Sequence, residues 1–169
     1  MRKLATAAIA TTLCLVTAGL WAQAKIAVVD TVKVATECKE GKKIQATLKG
    51  FHDQKQSDIT AKEAELKALE EKTKDPKISD DKKDEARNLF NQKMYEYQAY
   101  AKAAQDEMDA RTQKAQGELQ QKMAGVISKY AQAKGYALVV EKSICLYNAD
   151  ALDVTDDVIA SMNQAYPGS

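Results

Sequence analysis

The sequence predicts an α+β fold, in which a small β body built by both chain ends carries a long antiparallel coiled-coil helical hairpin as an arm. Three observations predict it. Short β-branched runs stand near the two ends, at Ile26-Ala27-Val28-Val29-Asp30 and Tyr136-Ala137-Leu138-Val139-Val140. Between them, apolar residues recur at steps of three and four. Asp75-Pro76 interrupts that middle stretch once, because the residue before a proline avoids the helical region and proline lacks an N–H donor.

The chain opens with Arg2 and Lys3, an apolar stretch from Leu4 to Leu20, and Ala22-Gln23-Ala24, the pattern of a secretory signal peptide with an Ala-x-Ala cleavage site. A permanent anchor needs roughly 20 apolar residues, and Thr6, Thr11, Thr12 and Thr17 interrupt this segment. Lipidation of Cys14 is disfavoured, since Thr11-Thr12-Leu13 lacks the small residue expected before a lipidated cysteine. Cleavage after Ala24 leaves 145 of the 169 residues, a soluble exported unit of one modest domain. It also removes Arg2 and Lys3, so 23 basic side chains face 24 acidic ones, for a formal charge of −1. That balance implies no nucleic-acid partner.

In the mature chain, residues 25–37 supply the N-terminal strand of the β body. Residues 38–134 form the arm, with its tip near 74–79, and residues 135–169 return to the body as a β-hairpin and a short helix. The Ile26–Asp30 run is too brief for a helix and reads as a strand. From about Thr36 a helical pattern follows through Ile44, Leu48, Phe51, Ile59, Leu66 and Leu69, with Lys55 and Lys62 occupying two seam positions. Ser79 offers an N-cap to the second helix, and Asp80 and Asp81 complement its dipole. Phe90, Met94, Tyr97, Ala101, Ala104, Met108, Arg111 and Ala115 alternate steps of four and three, which is coiled-coil spacing. Ala115, Leu119 and Met123 then take two steps of four, a stutter that relaxes the supercoil.

Gly135 ends the long helix, and Tyr136–Val140 reads as a buried strand. Glu141-Lys142-Ser143 is turn material, Ile144-Cys145-Leu146-Tyr147 a further strand, and Thr155 the cap of a last helix. Two or three strands with one apolar face are marginal alone, so homo-oligomerisation through Ile26, Val28, Val29, Leu138, Val139, Val140 and Leu146 is expected. Cys38 and Cys145 enter an oxidising compartment. A disulfide between them, within or between subunits, and two separate buried thiols both stay open.

No enzyme constellation is found: His52 is the single histidine and stands on the arm without a nucleophile arrangement. No cofactor is expected, and Cys38, His52 and Cys145 are too scattered to hold a metal. Asp150, Asp153, Asp156 and Asp157 lack the glycine and closing glutamate of an EF-hand, and read as helix capping.

Lys25-Ile26-Ala27-Val28-Val29-Asp30 resembles the opening strand of the Skp/OmpH family. Gly135 to Lys142, Leu146-Tyr147-Asn148 and Asp153 to Ile159 resemble that family's closing strand, hairpin and helix in order and spacing. The resemblance implies a homotrimer with a β body and three helical arms around a cavity, an ATP-independent periplasmic holdase for unfolded outer-membrane β-barrel proteins. The absence of a glycine-rich phosphate loop agrees with ATP independence. Members of that family are markedly basic, whereas this mature chain is near neutral, which puts charge-driven capture and membrane or lipopolysaccharide contact in question. Leu89, Tyr95 and Tyr100 are the expected client-binding residues, because aromatic side chains give contact area without demanding a fixed sequence. The alternative is a coiled-coil envelope spacer or adaptor that docks one specific folded partner helix-to-helix.

Overall fold

The computed structural model describes residues 24–168; the expected signal peptide up to Gln23, with Cys14, lies outside them. Strand β1 (Lys25–Val29) leads through Asp30 into the short helix α1 (Thr31–Glu37). Asp30 caps α1 by accepting from the Lys33 N–H at 2.8 Å, and the Glu141 carboxylate accepts from the Thr31 N–H at 3.2 Å. Two of the donors left over at the helix start are thereby satisfied.

The first helical stretch is not the continuous helix expected from Thr36. Cys38 is extended, with φ −67° and ψ 153°, and α2 (Lys39–Lys74) starts afresh beyond it. The physical reason lies in the core: Val34 and Cys38 are both fully buried, and the break turns the chain around them. Gly41 permits that corner, since a Cβ there would stand 1.7 Å from the Ala35 carbonyl oxygen.

Asp75 and Pro76 end α2 as expected, and α3 (Asp80–Lys134) begins after Ser79. Ser79 makes no side-chain capping bond, in contrast to its expected role, although Asp80 and Asp81 do occupy the first turn. At 1.5 Å per residue the 55 residues of α3 span about 80 Å. Gly135 closes α3 in the left-handed region, at φ 71°. The α2 and α3 helices run antiparallel. Their cross-links pass in order from Glu40–Lys122 at the root through Lys55–Glu107 and Asp58–Tyr100 to Glu65–Lys93 near the tip.

Strand β2 (Tyr136–Glu141) pairs in parallel with β1, Ile26 opposite Leu138 and Val28 opposite Val140, with a register shift beside Lys25. Parallel pairing follows from the excursion: the chain leaves the body along one arm helix and returns along the other, re-entering in the direction of β1. The predicted third strand at Ile144–Tyr147 does not form. Lys142–Ile144 is a 3₁₀ turn instead, and a second such turn at Asp150–Leu152 carries Asp153 to the other edge of β1. There the Val154 N–H donates to the Val28 carbonyl at 2.9 Å. A hairpin strand here would pair with the outer edge of β2, but the turn at Lys142–Ile144 and the 2.6 Å pair between Lys142 and Asp153 draw the chain back towards β1, and that edge of β2 stays unpaired among the described residues. Leu146 is consequently not a strand residue and lies fully exposed.

Helix α4 (Thr155–Ala165) lies over the sheet as expected. Its cap differs, because Asp153 rather than Thr155 accepts from the first helical N–H, that of Thr155 itself, at 3.0 Å. Ala27, Val29, Val34, Cys38, Val158 and Met162 join Leu119, Met123 and Val126 of the α3 root in one core. The body is thus sealed by the base of the arm. No helix among the described residues is long and apolar enough to cross a membrane.

Candidate interaction surfaces

The body leaves several large apolar side chains uncovered. Ile26 and Leu138, directly opposite one another in the sheet, are 42% and 53% exposed, and Val32, Ile144, Leu146, Tyr147 and Leu152 of the body are exposed as well. Of the expected association residues, Ile26, Leu138 and Leu146 face outward. Val28 and Val29 are buried, while Val139 and Val140 are half-buried, Val139 against the core. Val32, Ile144, Tyr147 and Leu152 were not in the expected set. The signal for Ile144 and Tyr147 was present in the run assigned to a strand; nothing in the local pattern singled out Val32.

Among the described residues, Cys38 and Cys145 are both free. The Cys38 thiol is wholly buried and accepts from the Gly41 N–H at 3.3 Å, so it serves as a small core residue and helix cap. Cys145 lies apart in the exposed segment, 3.5 Å from the Glu141 carbonyl.

Along the arm the seam is largely half-buried, with Leu66, Leu69, Ala86 and Ala104 the buried members distal to the root. Its middle is polar. Lys55 Nζ lies 3.1 Å from Glu107 and 5.1 Å from the centre of the Phe51 ring, and Arg111 sits 4.2 Å from the same ring while bonding Glu107. The hydrogen bonds from Arg111 and Lys55 hold the Glu107 carboxyl below its ordinary range. Charged heads on aromatic faces let these seam positions stay occupied without burying an unpaired charge.

Three expected contact residues separate in this setting. Tyr95 is 74% exposed and points away from the hairpin, whereas Leu89 is 41% exposed and borders a groove at the tip with Leu69, Ile78 and Ala86. Tyr100 is half-buried and donates to Asp58 Oδ2 at 2.6 Å, with Lys55 and Lys62 over its ring. That hydrogen bond raises the phenol above its usual range. Tyr97, the expected seam aromatic, likewise donates across the hairpin to Glu63 at 2.8 Å.

Among the described residues no group of histidine, cysteine and carboxylate side chains is placed to hold a metal ion. His52 is exposed beside Asp53. Three of the four clustered aspartates are used structurally: Asp153 by Thr155 and Lys142, Asp156 by Lys33 and Asp157 by Tyr130.

A small α/β body with a projecting helical hairpin, exposed apolar surface and a polar arm seam defines a protein of interaction surfaces rather than of assembled reactive groups. A family model for outer membrane proteins of the OmpH-like kind matches residues 25–162, and the chain belongs to that family. The family is non-enzymatic, and this chain is not an enzyme. No curated protein matches it by sequence. Among solved structures, it is similar to a candidate outer membrane chaperone (OmpH-like) from Caulobacter crescentus CB15, at 22% identity and a TM-score of 0.73, covering 84% of this chain and 85% of that one. The shared fold therefore includes both body and arm.

Proposed function

We propose that this protein is an ATP-independent periplasmic holdase, a homotrimer whose arms surround unfolded outer-membrane β-barrel proteins and keep them from aggregating before insertion. The observation that carries the reading is the pairing of a long, mostly polar arm with exposed apolar side chains on the body, in a chain of the OmpH-like family. The Ile26–Leu138 pair and the other exposed apolar residues of the body supply the surface through which copies associate, because uncovered apolar area is costly in water. The Caulobacter protein, described as a candidate chaperone, supports the same role.

Many weak contacts along the arms suit a client without a fixed sequence. Tyr95 and Leu89 present exposed apolar area for such contacts, and Tyr100 adds the uncovered part of its ring. Release follows when folding in the outer membrane offers the client more free energy than these contacts, so no nucleotide is needed.

Light scattering of an unfolded outer-membrane β-barrel, diluted from denaturant with and without the purified protein, tests the reading. Suppression at about one trimer per client, without ATP, is the expected result. Unchanged scattering from a well-folded oligomer would reject the holdase in favour of an adaptor that binds one folded partner.

A further inference from the structure

The family match ends at Met162, yet the residues beyond it make contacts that tie three elements together at the arm root. Helix α4 runs on to Ala165, and the tail Tyr166-Pro167-Gly168 reaches the start of α2. Asn163 Oδ1 accepts from the Lys39 N–H at 2.7 Å, which satisfies one of the donors left over at the first turn of α2. Tyr166 packs on the core, and Lys122 Nζ of α3 lies 5.0 Å from the centre of its ring while bonding Glu40 of α2. Gly168 closes on Lys39 itself: a Cβ on it would stand 3.0 Å from the Lys39 Cβ.

These contacts fall where the arm is least firmly joined to the body. Because α2 starts afresh beyond the extended Cys38, no continuous helix carries the direction of α1 into the arm. The α3 root is seated in the core through Leu119, Met123 and Val126, whereas α2 reaches that core through the half-buried Ile44. Leverage magnifies any play at this joint. At 1.5 Å per residue the 36 residues of α2 span about 54 Å, so a rotation of about 10° at its start moves the tip by about 9 Å.

We propose that residues 163–168 are a brace that fixes the direction in which the arm leaves the body. Asn163 holds the first turn of α2 to α4, and Tyr166 with Lys122 and Glu40 holds α2 to α3. Without these ties α2 is hinged at the Cys38 corner, and the arm samples a wider range of angles. With them in place, the body sets the angle of the arm. The brace belongs to the single chain and stands whether or not the holdase reading does.

The test measures the distance from tip to body in the full mature chain by pulsed electron paramagnetic resonance. Spin labels go on Lys77→Cys at the tip and Ala160→Cys on α4, both exposed positions, in a Cys145→Ser background where the buried Cys38 escapes labelling. Refolding with excess unlabelled chain keeps each distance within one copy. The parent brace should give one narrow distribution. Asn163→Leu combined with Tyr166→Ala should broaden it about twofold, or shift its mean by about 5 Å or more, with helical circular dichroism retained. Asn163→Asp and Tyr166→Phe should each keep the parent distribution, since the first preserves the acceptor and the second the ring. A parent-like distribution in the double variant overturns the proposal and leaves the α3 root alone as what fixes the arm; a distribution already broad in the parent overturns it too. If the double variant loses its circular dichroism, Asn163→Leu alone is read by the same criterion, because it leaves the Tyr166 ring on the core.

Discussion

Thr155 links three parts of the body through one hydroxyl. It accepts from the Asp30 N–H at 2.9 Å and donates to Asp153 Oδ1 at 2.5 Å, while the residue is only 3% exposed. Thr155→Val keeps the shape but leaves that N–H without its partner, and stability should fall by about 1–3 kcal/mol in denaturant titration. Thr155→Ser should recover most of the loss. Asp153 adds a pH signature. Hydrogen bonds from Lys142 and Thr155 outweigh burial and hold its carboxyl down to about 2, against an ordinary 3.8. Because the folded value lies below the unfolded one, this stabilisation is present at neutral pH and lost as pH falls from 3.8 towards 2. Unfolding midpoints measured across acid pH should therefore drop less steeply in Asp153→Asn than in the parent, from a lower starting stability.

At the scale of elements, the corner between α1 and α2 is the tightest joint. At Gly41 a Cβ would collide with the Ala35 backbone, and neither side of that contact is a flexible side-chain end. Gly41→Ala should cost about 2–4 kcal/mol or force the corner open, which thermal unfolding would detect. Gly50 is the control, since it lies within α2 and nothing surrounds its would-be Cβ within 4 Å. Gly50→Ala should raise stability by about 0.5–1 kcal/mol. The contrast isolates packing at the corner from helix propensity.

At the scale of the whole molecule, the proposed association runs through the exposed apolar residues of the body. Leu146 lies fully exposed in a segment with no partner strand in its own chain. Leu146→Asp should shift the mass measured by light scattering from oligomer towards monomer, because a carboxylate placed in a buried interface has no counter-charge to meet. An unchanged mass would place the association surface elsewhere on the body. In the client assay, Leu89→Ala with Tyr95→Ala should shorten retention at unchanged mass, since both side chains are exposed and neither is part of the body.

The arm was legible from residue spacing, because helix periodicity, Asp75-Pro76 and Gly135 act through neighbours in sequence and need no distant partner. The two strands of the body were legible for the same reason: their β-branched runs are local. Tertiary structure decided the rest. Ile144–Tyr147 has strand composition, but the turn at Lys142–Ile144 and the Lys142–Asp153 pair carry the chain to β1 instead of back along β2. The burial of Cys38 was not legible because it depends on where the chain turns, and the break between α1 and α2 places its thiol in the core. Tyr100 could be assigned to the flank of the seam by angle alone, yet its bond to Asp58 depends on the register between helices, which spacing along one helix does not set. Local patterns thus determined the arm helices and the two paired strands, while edges, corners and interhelical register, each a relation between residues far apart in the chain, were settled only by packing.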